Sequence, residues 1–146
     1  MANVATQNPT GIRPAVHADI ADLVELFAAH HREMGCSWSV NRDRLGATIA
    51  SAIASPDTWI CLAGDGCFLL AACFESPLGA GRLAQELCFC APPRRLADVI
   101  NLYEEWARSK HCRAVSLSCE QRFGTFDRLF RRYGYTTAEM TAKKEL

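Results

Sequence analysis

The residues of this chain that could do chemistry fall in a few short strings. Arg94 and Arg95 follow Pro92-Pro93 at the start of a helical pattern. Two guanidinium groups there could hold phosphate as bidentate ligands, or sit on a solvated, proline-capped helix start that binds nothing. Gly79-Ala80-Gly81-Arg82-Leu83-Ala84 matches G-x-G-x-x-A in letters, but a dinucleotide site needs that string between a strand and a helix. Strand-like Leu87-Cys88-Phe89-Cys90 and then two prolines follow it, so a turn is expected. His30 and His31 are adjacent on a helix, about 100° apart, so both cannot face one pocket. His111-Cys112 and Cys88-x-Cys90 are metal-type ligands without standard zinc spacing, and no metal site is expected. No Ser-His-Asp order, P-loop or H-E-x-x-H occurs.

The elements that must position these groups follow from periodicity and punctuation. Ile12 to Val16 reads as a short first strand, with Pro14 suggesting an edge. Asp19 is the expected N-cap of a helix that buries Ile20, Leu23, Val24, Phe27 and Ala28 and ends near Gly35. A loop containing Trp38 precedes a second helix over about Arg44 to Ala54, stopped by Ser55-Pro56-Asp57. Trp38 either plugs the core or offers a contact surface. Thr58–Ala63 and Cys67–Glu75 form a hairpin about Gly64-Asp65-Gly66, the second strand apolar on both faces and so central. Ser76 to Leu83 turns the chain into a strand over Ala84–Cys90. Pro93 is a favoured first helical residue, ahead of Leu96, Val99, Ile100, Leu102, Tyr103, Trp106 and Ala107. A strand over Ala114–Cys119, a short helix over Phe126–Tyr133 closed by Gly134, and a strand over Tyr135–Lys143 complete the order.

Composition bounds the partners. With 146 residues the chain is long enough for one core. Sixteen basic and sixteen acidic residues cancel, so no net charge draws it to nucleic acid or an anionic membrane. No apolar run approaches a membrane span, and residues 1–10 read as a polar, flexible tail before a domain over 11–146. An intracellular, cytoplasmic protein is the expectation. The eight cysteines lie mostly in apolar runs without C-x-x-C pairs, as expected of reduced core thiols.

The order β-α-α-β-β-β-α-β-α-β, an α/β (α+β) arrangement of helices on a central mixed sheet, is similar to the GCN5-related N-acetyltransferase fold. The opening Ile12-Arg13-Pro14-Ala15 with Asp19-Ile20, the Glu86-Leu87 of the fourth strand, and Leu129-Phe130-Arg131-Arg132-Tyr133-Gly134-Tyr135 resemble that family. The resemblance implies acetyl-CoA as cofactor and a small amine or a protein amine as acceptor. It implies that backbone groups of Leu87, Cys88, Phe89 and Cys90 hold the thioester and pantetheine arm. Glu86 is then either the acceptor of the amine proton, a structural residue at a strand start, or the partner of a nearby Arg. His30 or His31 would lie where relatives shape acceptor access, with one as a polar surface residue at the helix's C-terminal dipole as the favoured alternative.

Two departures stand out. Relatives carry a glycine-rich loop that lets backbone N–H groups approach the cofactor's diphosphate. The matching segment, Ala91 to Asp98, has no glycine and two prolines, leaving Arg94 and Arg95 as phosphate contacts. The tyrosine that relatives place near the sulfur is replaced by Phe130, so Tyr133 or water would protonate the thiolate, unless both rings are packing. A second function class follows: a non-catalytic protein on the same scaffold, binding a protein partner or its own copies. Compact, divergent chains of this kind look similar to bacteriophage-encoded ones, which implies a particle component as one form of that class.

Overall fold

Side chains of a β-strand alternate between faces, and in this protein both faces of one sheet are covered. The computed structural model describes residues 10–118, 128 and 130–136. β1 (Arg13–Pro14) leads through a 3-10 turn (His17–Asp19) into α1 (Ile20–Glu33) and α2 (Arg42–Ala54). β2 (Thr58–Leu62), β3 (Phe68–Glu75) and β4 (Arg82–Cys90) follow, then α3 (Pro93–Ser109) and β5 (Ala114–Ser116). The strands lie in the order β1-β2-β3-β4-β5, antiparallel as far as β4, with β5 parallel to β4. The sheet is therefore mixed and β3 is its central strand, as an apolar strand without a polar face requires.

The alternation sorts the core into two layers. Ile60, Leu62 and Phe68 meet Leu23, Val24 and Phe27 of α1 and Ile49 of α2. Cys61, Leu69, Ala71, Cys73 and Ala84 meet Val99, Tyr103 and Ala107 of α3. Seven of the cysteines are described, and no disulfide joins any of them. Burial pushes the Cys61 thiol up to about 12 and Cys67 up to about 11, so both behave as small apolar residues at neutral pH.

Turn chemistry sets the registers. The β2–β3 hairpin closes through Ala63 N–H to the Cys67 carbonyl at 2.8 Å, with Gly66 at φ 82°. The β3–β4 connection closes through Ser76 N–H to the Gly81 carbonyl at 2.9 Å, with Gly79 and Gly81 both at positive φ. The G-x-G-x-x-A string is thus this turn and the first residues of β4. Gly35, φ 71°, turns the chain just past the end of α1. α2 begins at Arg42, ahead of its apolar periodicity, because the Asn41 side chain accepts the Arg44 N–H at 2.9 Å.

One local expectation is corrected. Asp19 does not cap α1 through its side chain; it closes the 3-10 turn before that helix. Its Oδ2 accepts the Val16 N–H at 2.8 Å, and the Arg13 guanidinium binds both carboxylate oxygens at 2.7 Å. A bidentate arginine and a backbone donor outweigh the single amide that an N-cap offers. The contact ties edge strand β1 to the start of α1.

Near the end of the described chain, Gly134 adopts φ 83°. Gly134 N–H donates to the Arg131 carbonyl and Tyr135 N–H to the Phe130 carbonyl, both at 3.1 Å. This is a Schellman closure, with the Phe130 and Tyr135 rings 5.9 Å apart. The expected tail before Thr10 and the final strand beyond Thr136 lie outside the described residues. Among the described residues no helix is long and apolar enough to cross a membrane.

The Arg13–Asp19 pair has a testable consequence. Arg13, and then the Val16 amide, hold the Asp19 carboxyl down at about 2, against an ordinary 3.8. A depressed carboxylate contributes stability above its unfolded pKa and loses it as pH falls through the folded one. Asp19→Asn is expected to lower stability at pH 7 by about 1–3 kcal/mol. The gap from wild type should close between about pH 4 and pH 2, as read by urea denaturation across pH.

Candidate active site

β4 is held along its two edges over different lengths. On one edge it pairs with β3 from Arg82 to Cys90. On the other, β5 accompanies it only through Leu83–Ala114, Ala84–Val115 and Gln85–Ser116. The β3 register jumps at this point, with Ala71 opposite Glu86 and Leu70 opposite Cys88. Leu87 is therefore an extra residue, a β-bulge, and its side chain is exposed. A bulge bends its strand and increases the local twist. The β4–β5 ladder thus stops after Gln85, and β4 runs on through Glu86 and the bulge without β5; this end of the ladder is the fork.

Two side chains pin this fork. Glu86 is 5% exposed, and its Oε2 accepts the Ser118 N–H at 2.9 Å and the Ser118 hydroxyl at 2.6 Å. The carboxylate of β4 so holds the chain two residues past the last β5 pair. Tyr103, fully buried on α3, donates its hydroxyl to the Ser116 carbonyl at 3.1 Å and fixes the end of β5 from below. Burial, above all, raises the Tyr103 hydroxyl beyond its ordinary range, so it is a donor and not a titrating acid.

The strand residues read from the sequence as the thioester cradle, Leu87, Cys88, Phe89 and Cys90, all lie on the bulged half of β4. Cys88 and Cys90 turn toward α1 and α2, and Phe89 toward α3. Burial raises the Cys90 thiol, with the Glu33 carboxylate adding to it. Arg94 and Arg95 open α3 one turn beyond, but both reach across to the β2–β3 turn. Arg95 Nε donates to Asp65 Oδ2 at 2.9 Å, and Arg94 Nη2 lies 3.4 Å from the same oxygen. Arg95 Nη1 also donates to the Thr10 carbonyl.

Tyr133 ends the last described helical turn with its ring partly exposed, on a different element from the fork. The other tyrosine of that turn, Tyr135, is engaged: its hydroxyl donates to Glu104 Oε1 of α3 at 3.3 Å, and burial raises it. The histidines diverge as helix geometry demands. His30 meets Phe68 edge to face at 5.7 Å, whereas His31 Nε2 donates to the Trp38 carbonyl at 3.0 Å. The Trp38 ring rests on His31 and stays half exposed, so it does not plug the core.

Sequence reasoning missed Tyr103, Ser118 and Asp65 as parts of this region. Tyr103 was visible only as one more residue of the buried stripe of α3. Ser118 and Asp65 carry no local signal, since their partners lie 32 and 30 residues away.

No protein-family model and no curated protein sequence matches this chain. Solved structures do. A protein of Arthrobacter sp. FB24 assigned as an acetyltransferase superposes with a TM-score of 0.75 at 16% identity, over 100% of this chain and 96% of its own. An assigned acetyltransferase of Clostridium acetobutylicum, solved with acetyl-CoA, gives 0.70 at 14% identity over 92% and 94%. Glucosamine-6-phosphate N-acetyltransferase from Arabidopsis thaliana gives 0.65 at 14% identity over 92% and 96%. At such identities the likeness is one of fold: the chain has the GCN5-related N-acetyltransferase fold, as a single divergent α/β domain.

If Glu86 and Tyr103 pin the fork, removing either should loosen it. Glu86→Ala is expected to cost about 1–3 kcal/mol, since a buried acceptor and the packing of its stem are lost. Tyr103→Phe should cost about 1 kcal/mol, leaving the Ser116 carbonyl without that donor. Hydrogen exchange should rise first at the amides of β5 in both variants, while β2 and β3 stay protected.

Proposed function

We propose that this protein is an N-acetyltransferase. It takes an acetyl group from a pantetheine thioester, acetyl-CoA being the donor that the fold implies, and passes it to an amine. The observation that carries the reading is the fork: the β4–β5 ladder stops after Gln85, directly before a buried carboxylate and a bulge. A stretch of β4 that β5 does not accompany can seat an extended thioester arm along that edge. The neighbours of this fold support the same chemistry, one of them solved with acetyl-CoA and another named for an amino sugar.

N-acylation breaks a C–S bond, forms a C–N bond, and moves a proton from the amine while the thiolate gains one. Leu87 at the bulge and Cys88, Phe89 and Cys90 after it are the strand residues along which the thioester would lie. Glu86 has two parts in this reading. One oxygen holds Ser118, and the carboxylate accepts the amine proton at the base of the fork, through water. Tyr103 and Tyr135 spend their hydroxyls on Ser116 and Glu104. Tyr133 is therefore the tyrosine this reading keeps, with water, as proton donor to the leaving thiolate.

The test is acetyl transfer to a panel of small amines and lysine peptides, followed by mass spectrometry of the product. Glu86→Gln keeps an oxygen to accept both Ser118 donors but is not a base. It should melt close to wild type, bind the thioester unchanged, and lose about 10²–10⁴ in kcat. Tyr133→Phe should lower kcat by about tenfold or less, because water can replace it. A Glu86→Gln variant with full turnover would leave Glu86 a pin and nothing more. No binding of acetyl-CoA or of a shorter acetyl thioester would sink the enzyme reading.

A further inference from the structure

A diphosphate at a helix start is held by converging backbone N–H groups, by the helix dipole, and by cations able to turn toward it. The start of α3 offers little of this. Pro92 and Pro93 carry no N–H, and the Arg95 N–H is bonded to the Pro92 carbonyl at 2.8 Å. The Arg95 guanidinium is bound to Asp65 Oδ2 at 2.9 Å and to the Thr10 carbonyl. Asp98 Oδ2 lies 3.9 Å from its Nη1, and Arg94 Nη2 lies 3.4 Å from Asp65.

The Asp65 and Arg95 side chains are 24% and 25% exposed, so their pairing is less screened than that of a surface pair. Arg95 holds the Asp65 carboxyl below its ordinary range, so it is ionised at neutral pH. A diphosphate arriving at this helix start would face two carboxylates and compete with Asp65 for Arg95, while Arg94, 73% exposed, is held to Asp65 only by a 3.4 Å contact.

We infer that the donor site recognises the acyl-pantetheine arm alone, with Asp65 occupying Arg95, the less exposed of the two arginines that a nucleotide diphosphate would need. The substrate class is an acyl thioester of pantetheine whose nucleotide end contributes nothing to binding. This rests on the reading of the fork as a thioester site.

Calorimetric titration of the intact protein with S-acetylpantetheine and with acetyl-CoA tests it. Wild type should bind the two with dissociation constants within about threefold of each other. Asp65→Asn, on an outward-facing turn, should bind acetyl-CoA about tenfold tighter than wild type and S-acetylpantetheine unchanged, the scale of one charge-assisted hydrogen bond. Tenfold or greater preference of wild type for acetyl-CoA would overturn the inference while leaving the acetyltransferase reading in place. An Asp65→Asn variant that gains nothing toward acetyl-CoA would overturn the part given to Asp65, and the wild-type comparison needs no variant to fold. Binding of neither thioester would instead overturn the reading of the fork, and this inference with it.

Discussion

The divided pairing of β4 is the constraint on which the rest of this structure turns. Along β3 the strand is paired from end to end, so its position in the sheet is fixed. Along β5 it is paired for three residues and no further among the described residues. A ladder that stops inside a sheet leaves backbone groups to be accommodated and invites either closure or collapse. The bulge at Leu87 turns β4 out of line, and Glu86 and Tyr103 anchor the other branch. The end of the ladder is thus set by backbone geometry and held by two hydrogen-bonding side chains.

α3 connects the parts of the candidate site. Its inner face, Leu96, Val99, Ile100, Tyr103 and Ala107, is almost wholly buried, which fixes the helix on the sheet. From that fixed axis Tyr103 reaches β5, Glu104 reaches Tyr135, and Arg95 reaches the β2–β3 turn. A shift of α3 would therefore be felt at the fork, at the last described turn and at the helix start together. The same rigidity explains why Asp65 matters. A turn two strands away in the sheet is brought against the helix start by packing, not by any local preference.

Much of the fold was legible in the chain because its signals are local. The stripe of α3, the Pro93 start, the glycines at 35, 66 and 134 and the two-faced apolar run of β3 each act within a few residues. The structure follows them closely. Asp19 went astray because its partner Arg13 lies on the strand before it and offers two charged hydrogen bonds. In the site, the strand over Leu87–Cys90 was recognisable from its place in the order of elements. The bulge within it was not, because it is defined by the register of β4 against β3 and leaves no mark in composition.

The missing glycines and paired prolines before α3 could be read directly, since a proline nitrogen has no hydrogen in any fold. Whether Arg94 and Arg95 compensate could not, because that depends on what faces them. Packing put Asp65 there. Likewise the sequence alone determined that a carboxylate stands at position 86 in a strand, and helical and strand periodicity determined which faces are buried. Only the tertiary structure decided that this carboxylate lies at the parting of two strands and is bound to Ser118. The physical reason is range: propensity and turn chemistry act between near neighbours, whereas a fork, a pin and a competing charge are contacts between residues about thirty positions apart.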